Sequence, residues 1–415
     1  MSNDPQMPAS EQGHSRVITT VALGFWSVAI TLGALRVILP VYFASLGVSV
    51  TKIALFFVAY KASEVIANGV TGLAVNRLGY RRSYVGGLLA HTILSLSYIL
   101  TPPLWAIYFI RLGRGMIGMN LLTSVYVRHF SPRESRRFHI NLILGVKEAG
   151  KGVGMAIGGV LLALLSFKLS LVALGLFTAV ETLLAFRYLP EVRERERVAV
   201  RRLWQTVPWE VKVLATARGF VYSARDCWAA AIAPVVLVRV FDLSASAVGF
   251  FMMVGLLALG GSQTLFARYL GRGWSSRTSL VVCGLAIAPV PLLMGHAPAL
   301  GVFAVGYLLY YVMDGLWTSY HNHFMIEQAS LEKTSIDLGA YKVIANVVPP
   351  FAVMVSGMAA DAYGLAAAFY VAAGFALLGA VTPLALGWRQ SEGAATQGIR
   401  AEPAVEPAHV GTPRP

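Results

Sequence analysis

Charged residues are scarce in this chain of 415 residues, where they make up 13% of the sequence. A soluble globular domain carries about 25%, so the composition excludes an ordinary soluble fold. Only two cysteines are present, Cys227 and Cys283, and both lie in apolar stretches without a C-x-x-C spacing. The sequence therefore offers no disulfide framework and no cysteine-based metal site.

Sequence motifs of catalysis are also missing. We find no phosphate-binding glycine loop, no nucleophile motif and no cofactor fingerprint, so we expect no enzyme activity and no cofactor. His321 and His323 form a His-x-His pair, with Glu327 as the nearest acid. A metal site needs further convergent ligands, and we predict none. The net charge of +14 lies mostly in alternate loops. Membrane topology explains it, and no nucleic-acid partner is predicted.

Long apolar stretches are abundant. Twelve blocks of about 20 residues are each long enough for a helix to cross a bilayer, and they predict an all-α integral membrane protein. Their Gly and Ala content fits helices that pack against helices within lipid. The blocks are residues 17–43, 52–75, 83–101, 104–127, 140–163, 167–189, 209–238, 246–267, 278–296, 299–320, 336–359 and 364–387.

The loops between these blocks alternate in charge. One set holds most of the arginines, and Arg/Lys bias marks the cytoplasmic side of a membrane. We therefore expect an even number of spans with both termini in the cytoplasm. The predicted organisation is a cytoplasmic tail (1–16), a six-helix half (17–189), a cytoplasmic linker (190–208), a second six-helix half (209–387) and a disordered cytoplasmic tail (388–415).

Two lysines occupy matching places in the two halves. Lys147 and Lys342 lie inside apolar blocks five and eleven, 195 residues apart. A charge near the middle of a span costs at least ~2.5 kcal/mol on insertion scales, so it is kept only with a partner, a solvated cavity or a task. The pairs Pro40/Pro234 and Ser49/Ser244 repeat at offsets of 194 and 195. Two parallel six-helix halves are predicted.

The loop after block two reads Gly72-Leu-Ala-Val-Asn76-Arg77-Leu-Gly79-Tyr-Arg81-Arg82. It resembles the signature between helices two and three of major facilitator transporters, with Asn76 in place of the usual Asp. Block four contains Arg111-Leu-Gly-Arg114-Gly115, and block five contains Gly150, Gly152, Gly154, Gly158 and Gly159. These resemble the fourth-helix arginine motif and the fifth-helix glycine motif of that family. The resemblance implies a gate made by Gly72, Asn76, Arg77, Gly79, Arg81, Arg82 and Arg114.

Three further segments narrow the resemblance. They are Gly33-Ala-Leu-Arg36, the stretch Gly145 to Gly152 around Lys147, and Ala224-Arg225-Asp226-Cys-Trp228. Together they resemble a bacterial branch that includes organoarsenical (arseno-phosphoglycerate) efflux permeases and magnetosome-membrane permeases. The implied location is a bacterial inner membrane or a magnetosome membrane derived from it.

The charged residues of the apolar blocks are the candidate site. Cations outnumber acids there, which favours an anionic solute, since arginine also binds carboxylate or phosphate in a bidentate way. The substrate-binding candidates are Arg36, Lys147, Arg225 and Lys342; for each, substrate binding and structural pairing are equally compatible with the sequence. The candidates for proton coupling are Glu64, Glu148, Asp226 and Asp314.

Two functions fit these features. The first is a monomeric secondary transporter that moves a small anionic or metal-linked solute by alternating access, either iron-related or in organoarsenical efflux. The second is a non-transporting assembly or scaffold protein that keeps the same fold, which the altered latch residue Asn76 allows. Association with other membrane proteins fits the second.

Overall fold

The computed structural model describes residues 9–100, 103–131, 136–192, 207–269, 276–328 and 334–386. They form twelve helical spans, numbered here in chain order. The first half contains α1 (Ala9–Ser45), α2 (Val50–Leu78), α3 (Tyr80–Leu96), α4 (Leu104–Gly115 and Met119–Phe130), α5 (Arg136–Leu164) and α6 (Phe167–Tyr188). The second half contains α7 (Trp209–Ala229 and Ile232–Arg239), α8 (Ala245–Tyr269), α9 (Ser276–Ile287 and Val290–Gly295), α10 (Leu300–Gln328), α11 (Thr334–Tyr363) and α12 (Leu365–Val381).

Three spans that the sequence predicts as continuous are interrupted. In α7 the break at Ala230–Ala231 lies one turn before Pro234, whose ring clashes with the carbonyl four residues earlier. In α9 the break contains Pro289. In α4 it falls between Gly115 and Gly118, and the Gly118 N–H is satisfied by the Thr71 hydroxyl at 2.9 Å. Prolines and glycines therefore open the spans locally without ending them.

The two halves repeat the same packing. In the first half α1 packs on α5 and α6, α2 on α4, and α3 on α6. In the second half α7 packs on α11 and α12, α8 on α10, and α9 on α12. Adding six to each helix number of the first set gives the second. The predicted duplication is thus visible in the helices against which each helix packs.

Helices α5 and α2 join the first half to the second by packing on α8 and α11. Glycines make the α5 contacts close. A Cβ on Gly154 or Gly158 would overlap the backbone of α1, and one on Gly159 would overlap the backbone of α8 at Ala245. Small residues allow such approaches between membrane helices. The glycines of block five therefore pack two faces of one helix.

Nine spans of the described residues are long and apolar enough to cross a membrane. They are α1, α3, α6 and all six spans of the second half. The other three are α2, α4 and α5; they hold Lys61, Arg111, Arg114, Lys147 and Lys151, and α4 is interrupted. We call the end of the bundle that holds residues 79, 189 and 208 the linker side, and the end that holds residues 47, 242 and 364 the distal side.

Candidate functional site

An ion pair at the centre of the bundle joins the two halves. Lys61 of α2 lies 3.5 Å from a Glu64 carboxylate oxygen and 3.3 Å from Asp226 Oδ2 of α7. Asp226 is 1% exposed. A buried carboxylate is costly unless a cation accompanies it, and here that cation comes from the opposite half. The ion pair links α2 to α7, while α2 packs on α11.

A second buried ion pair lies entirely within the second half. Arg225 Nη1 of α7 donates to Asp314 Oδ2 of α10 at 2.9 Å, and Arg225 Nε lies 3.8 Å from Asp226 Oδ1. Asp314 is fully buried. The Arg225 guanidinium also lies 4.7 Å from the Tyr222 ring centroid. Arg225 is therefore oriented by one carboxylate, placed near a second, and covered by an aromatic ring.

On the opposite wall, α5 contributes three charged residues in two turns. Lys151 Nζ donates to Glu148 Oε1 at 2.6 Å. The Lys147 ammonium lies 5.5 Å from the Phe25 ring centroid of α1. Lys342 of α11 is exposed and lies within electrostatic range of Lys147. The two repeat-related lysines thus act on one another electrostatically, while Lys151 pairs with Glu148.

Arg36 of α1 lies among these groups. It acts electrostatically on Asp226, Lys61 and Lys151, and its Nε has no hydrogen-bond partner among the described residues. The central charges that the structure describes are the cations Arg36, Lys61, Lys147, Lys151, Arg225 and Lys342, and the acids Glu64, Glu148, Asp226 and Asp314. Six cations face four carboxylates, so this region carries a positive surplus.

Towards the linker side, Arg218 of α7 continues the polar wall. Its Nη1 donates to the Thr318 hydroxyl at 2.9 Å, its Nη2 donates to the Tyr222 hydroxyl, and its guanidinium lies 3.9 Å from the Tyr222 ring centroid. His321 is buried; its Nε2 lies 2.9 Å from the Leu214 carbonyl and its Nδ1 lies 3.4 Å from the Tyr341 hydroxyl. Both ring nitrogens of His321 are therefore engaged in contacts within the second half, which is a structural role.

No group of three His, Cys, Asp or Glu side chains among the described residues is arranged to hold a metal ion. The side chains of His323 and Glu327 lie outside the described residues.

The predicted gate loop turns tightly at Gly79, which has φ 84°, in the region that glycine favours. Arg81 Nη2 donates to the Phe186 carbonyl at 2.7 Å, while Arg77 and Arg82 are exposed. Gly72 lies within α2, and the side chain of Asn76 lies outside the described residues. The Glu191 carboxylate lies directly against Gly79. An acid from the start of the linker thus stands beside the loop that lacks the usual Asp.

Arg114, the remaining gate residue, lies elsewhere. It is buried inside the first half, where Nη1 bonds the His91 carbonyl and the Ser95 hydroxyl. It has no described contact with the residues of the gate loop.

On the distal side, charged side chains of the second half bond helix ends of the first. Both Asp361 carboxylate oxygens accept from the α2 N-terminus, from Val50 N–H at 2.8 Å and Thr51 N–H at 2.9 Å. Arg239 Nη2 donates to the carbonyls of Ala44 and Val48, each at 3.0 Å. A negative charge at a helix N-terminus and a positive charge near a C-terminus are both favourable. We call these two contacts the distal latch.

The structure brings together all four predicted substrate-binding residues and all four predicted proton-coupling acids. Their roles remain predictions. Two of the acids receive cations from other helices: Asp226 pairs with Lys61 of α2, and Asp314 pairs with Arg225 of α7. Lys61 and Glu64 are three residues apart, a spacing that by itself indicates a local pair on one helix face. The cross-half contact of Lys61 depends on how α2 docks against α7, which no local pattern encodes.

Two six-helix halves around a shared charged centre define the class of a polytopic membrane transporter. The model of the Major Facilitator Superfamily matches residues 21–334 of this sequence. The chain belongs to that superfamily and is a multi-pass membrane protein. No curated protein matches its sequence significantly.

Solved structures share the fold at low identity. The human organic anion transporter MFSD10 (TETRAN) is 17% identical with a TM-score of 0.65, over 91% of this chain and 100% of that chain. A bacterial homologue of the human lysosomal transporter Spinster, inward-facing and occupied, is 13% identical with a TM-score of 0.75, over 89% and 96%. A point mutant of the nucleoside transporter NupG is 12% identical with a TM-score of 0.71, over 89% and 99%.

Proposed function

We propose that this chain is a secondary transporter that carries a small anionic solute through the charged centre between its halves. The observation that carries the proposal is the positive surplus there, six cations against four carboxylates. In a region of low dielectric a surplus of cations attracts an anion strongly. The organic anion specificity of the structurally similar MFSD10 supports the same class of solute.

Lys147, Lys342 and Arg36 are the cations that we assign to the solute. Lys147 and Lys342 stand at matching places in the two halves, and Arg36 lies among the central charges. Lys147 and Lys342 act on one another as like charges, and an anion between them would remove their repulsion. A carboxylate or phosphate group is the moiety that this arrangement fits.

We propose alternating access as the mechanism, and the places where the two halves are joined support it. The distal latch closes one end, and the close glycine contact of Gly159 on α5 with α8 lies in the same half of the membrane. We assign this state to a conformation open towards the linker side. The Spinster homologue, which is similar in fold, was solved in an inward-facing conformation, and the Arg-rich loops orient the linker side to the cytoplasm.

The resemblance of the Arg36, Lys147 and Arg225 segments to organoarsenical and magnetosome permeases suggests two narrower versions of this proposal. An arsonate or phosphate ester would satisfy the cationic centre directly. An iron-linked solute would have to arrive as an anionic chelate, because an uncomplexed metal cation is repelled by the same surplus. Both versions place the protein in a bacterial inner membrane or in a membrane derived from it.

The test is uptake into proteoliposomes by the purified full chain. The probes are radiolabelled benzoate, phosphate and 3-phosphoglycerate, with uridine as a neutral comparison. We expect uptake of at least one anion and a loss of about tenfold or more in the Lys147→Ala/Lys342→Ala double variant, because removal of a charge-assisted contact costs about 1.5–3 kcal/mol. Lys168→Ala, at the distal start of α6, is the control.

Full anion transport by the double variant would contradict the assignment of the two lysines. The scaffold function would be favoured by a chain that reconstitutes in folded form yet moves none of the probes. In that case a cysteine introduced on the distal side should also show the same accessibility with and without each probe.

A further inference from the structure

The charged centre carries more positive than negative charge among the residues that the structure describes. It holds four carboxylates and the six cations Arg36, Lys61, Lys147, Lys151, Arg225 and Lys342. With all of these groups ionised, six cations against four carboxylates leave a net charge of +2. Charge in a region of low dielectric is unfavourable unless opposite charge accompanies it. A centre that carries no anion is therefore least stable when the bundle closes around it and excludes water.

Each of the four central carboxylates has a cation beside it. The nitrogen–oxygen distances are 2.6 Å for Glu148 with Lys151, 2.9 Å for Asp314 with Arg225, and 3.3 Å for Asp226 and 3.5 Å for Glu64, both with Lys61. A proton bound by any of these acids would deprive its cation of a counter-charge and would increase the positive surplus. Proton uptake therefore worsens the charge balance of the centre, whereas an anion corrects it.

Lys147 and Lys342 place part of the surplus on opposite sides of the linker-side opening. Lys147 lies in the linker-side half of α5, a helix of 29 residues, and Lys342 lies in the linker-side half of α11, a helix of 30 residues. The two ammonium groups act on one another as like charges. Because α5 and α11 belong to different halves, closing the linker side would move these charges towards each other. The closure is thus opposed unless an anion lies between them.

The distal latch opposes the same change of conformation. To open the distal end, Asp361 must give up its bonds to the N–H groups of Val50 and Thr51, and Arg239 must give up its bonds to the carbonyls of Ala44 and Val48. These charge-assisted bonds stabilise the conformation that is open towards the linker side. In a protein that carries no anion, nothing at the centre offsets their loss.

We propose that this protein is an anion exchanger, an inference that rests on the anion transport proposed above. The two halves change conformation rapidly only with an anion between Lys147 and Lys342, so the movement of one anion across the membrane is matched by the return of another. An anion with two charges, such as phosphate or a phosphate monoester, matches the surplus of two. The four acids then serve as counter-charges, and the gradient of the second anion supplies the driving force.

The experiment compares two kinds of proteoliposome that contain the purified full chain. One holds unlabelled phosphate, 3-phosphoglycerate or benzoate in its lumen, and the other holds a chloride-free zwitterionic buffer. The same anion is added outside in radiolabelled form. We expect initial uptake to be at least about tenfold faster with the luminal anion, because the barrier to the return step falls when an anion occupies the centre.

Two outcomes separate this inference from the proposal on which it rests. Equal uptake into the two kinds of proteoliposome would overturn the exchange and leave anion transport standing. No uptake of any of the three anions into either kind would contradict anion transport itself, and the exchange with it.

An inward proton gradient tests the alternative driving force. It should not replace the luminal anion, because protonation of a central acid adds to the positive surplus. Uptake into anion-free proteoliposomes that is driven by the proton gradient would overturn the proposal.

Lys342→Gln tests whether the lysine pair makes the return step depend on an anion. Removal of one of the two like charges should ease closure without an anion, so the ratio of uptake with luminal anion to uptake without it should fall at least about threefold. Both rates are measured at saturating anion. Lys342→Arg keeps the charge and should keep the wild-type ratio. A merely structural defect would lower both rates together, and an unchanged ratio in Lys342→Gln would overturn the role of the pair.

The same dependence should be visible without transport. A cysteine placed at Ala44, on the distal side, should react faster with a membrane-impermeant maleimide when phosphate or 3-phosphoglycerate is present, because the anion allows the distal end to open. In the Lys342→Gln chain the cysteine should react at the faster rate without an anion. The chain without the added cysteine is the blank. Reactivity in the wild-type background that none of the three anions changes would overturn the proposal, even where a variant transports too slowly to be measured.

Discussion

Helices α4 and α10 occupy equivalent places in the two halves, yet they differ in charge. A side chain at Gly115 of α4 would overlap the Ser63 hydroxyl of α2, and one at Gly315 of α10 would overlap the Ser262 hydroxyl of α8. One residue before each glycine stands Arg114 in α4 but Asp314 in α10. The duplication has kept the contact between backbones, while the charges beside that contact have diverged.

This difference separates two kinds of constraint. The glycine contacts are geometric, and any larger residue disturbs them in either half. The charges depend on what the neighbouring helix offers. Asp314 faces Arg225, whereas Arg114 faces a carbonyl and a hydroxyl. The second half therefore pairs its buried acid with its own arginine, whereas Arg114 of the first half has neutral partners among the described residues. The contact of Lys61 with Asp226 joins the two halves.

The largest expected effect is on stability, through loss of the buried ion pair between α10 and α7. Asp314→Asn leaves Arg225 with only the more distant Asp226, and loss of one partner of a buried ion pair costs about 3–5 kcal/mol. We expect a lower Tm in detergent and little folded protein. The double variant Asp314→Asn/Arg225→Gln should recover much of this loss, because no charge is then left unpaired. A double variant no better than the single would show that the pair is not the cause.

The glycine contacts should respond alike in both halves. Gly115→Ala and Gly315→Ala each place a methyl group against a serine hydroxyl and a backbone carbonyl, and overpacking costs about 1–3 kcal/mol. Thermal unfolding of the two variants should fall by similar amounts. Gly374→Ala, where the added Cβ meets nothing within 4 Å, is the control. A large loss in one half only would show that the two contacts are not equivalent.

A variant of the distal latch tests how the two halves are held together. Asp361→Asn removes the charge that caps the α2 N-terminus, at a cost of about 1 kcal/mol. We expect greater reactivity of a cysteine placed at Ala44, which is 5% exposed, measured with a membrane-impermeant maleimide, because the distal end opens more often. Asp242→Asn is the matched control, as its φ of 51° suits asparagine. Unchanged cysteine reactivity in Asp361→Asn would show that the distal latch does not control opening of the distal end.

The smallest effects belong to a pair of arginines on the linker side. Arg81 donates to the Phe186 carbonyl at 2.7 Å and Arg277 donates to the Leu384 carbonyl at 3.0 Å, each joining the start of one span to the end of another in its own half. Both contacts are near the surface, so Arg81→Gln and Arg277→Gln should each lower the free energy of unfolding by about 0.5–1 kcal/mol. Unequal changes in Tm would show that the two contacts do not contribute equally to stability.

Much of the fold was predictable because its signals are local. Blocks of about 20 apolar residues, the charge of the loops and the offsets of Pro40 and Pro234 predict twelve spans in two halves. The interruptions were missed because Pro234 and Pro289 break their spans while Pro40 lies inside an unbroken α1. A proline in a helix removes one hydrogen bond, and the neighbouring helices decide whether the remainder stays helical.

The candidate site was predictable only as a set of residues. An ionisable side chain in an apolar block can be recognised from its cost, which identified Lys147, Lys342, Arg225 and Asp314. The sequence by itself determined that this protein spans a membrane twelve times and carries surplus positive charge within it. Only the tertiary structure decided that Lys61 meets Asp226, that Arg225 meets Asp314 and that Arg111 meets no acid among the described residues. Ion pairing depends on a few ångströms between helices far apart in the chain, and that distance is set by how the helices pack.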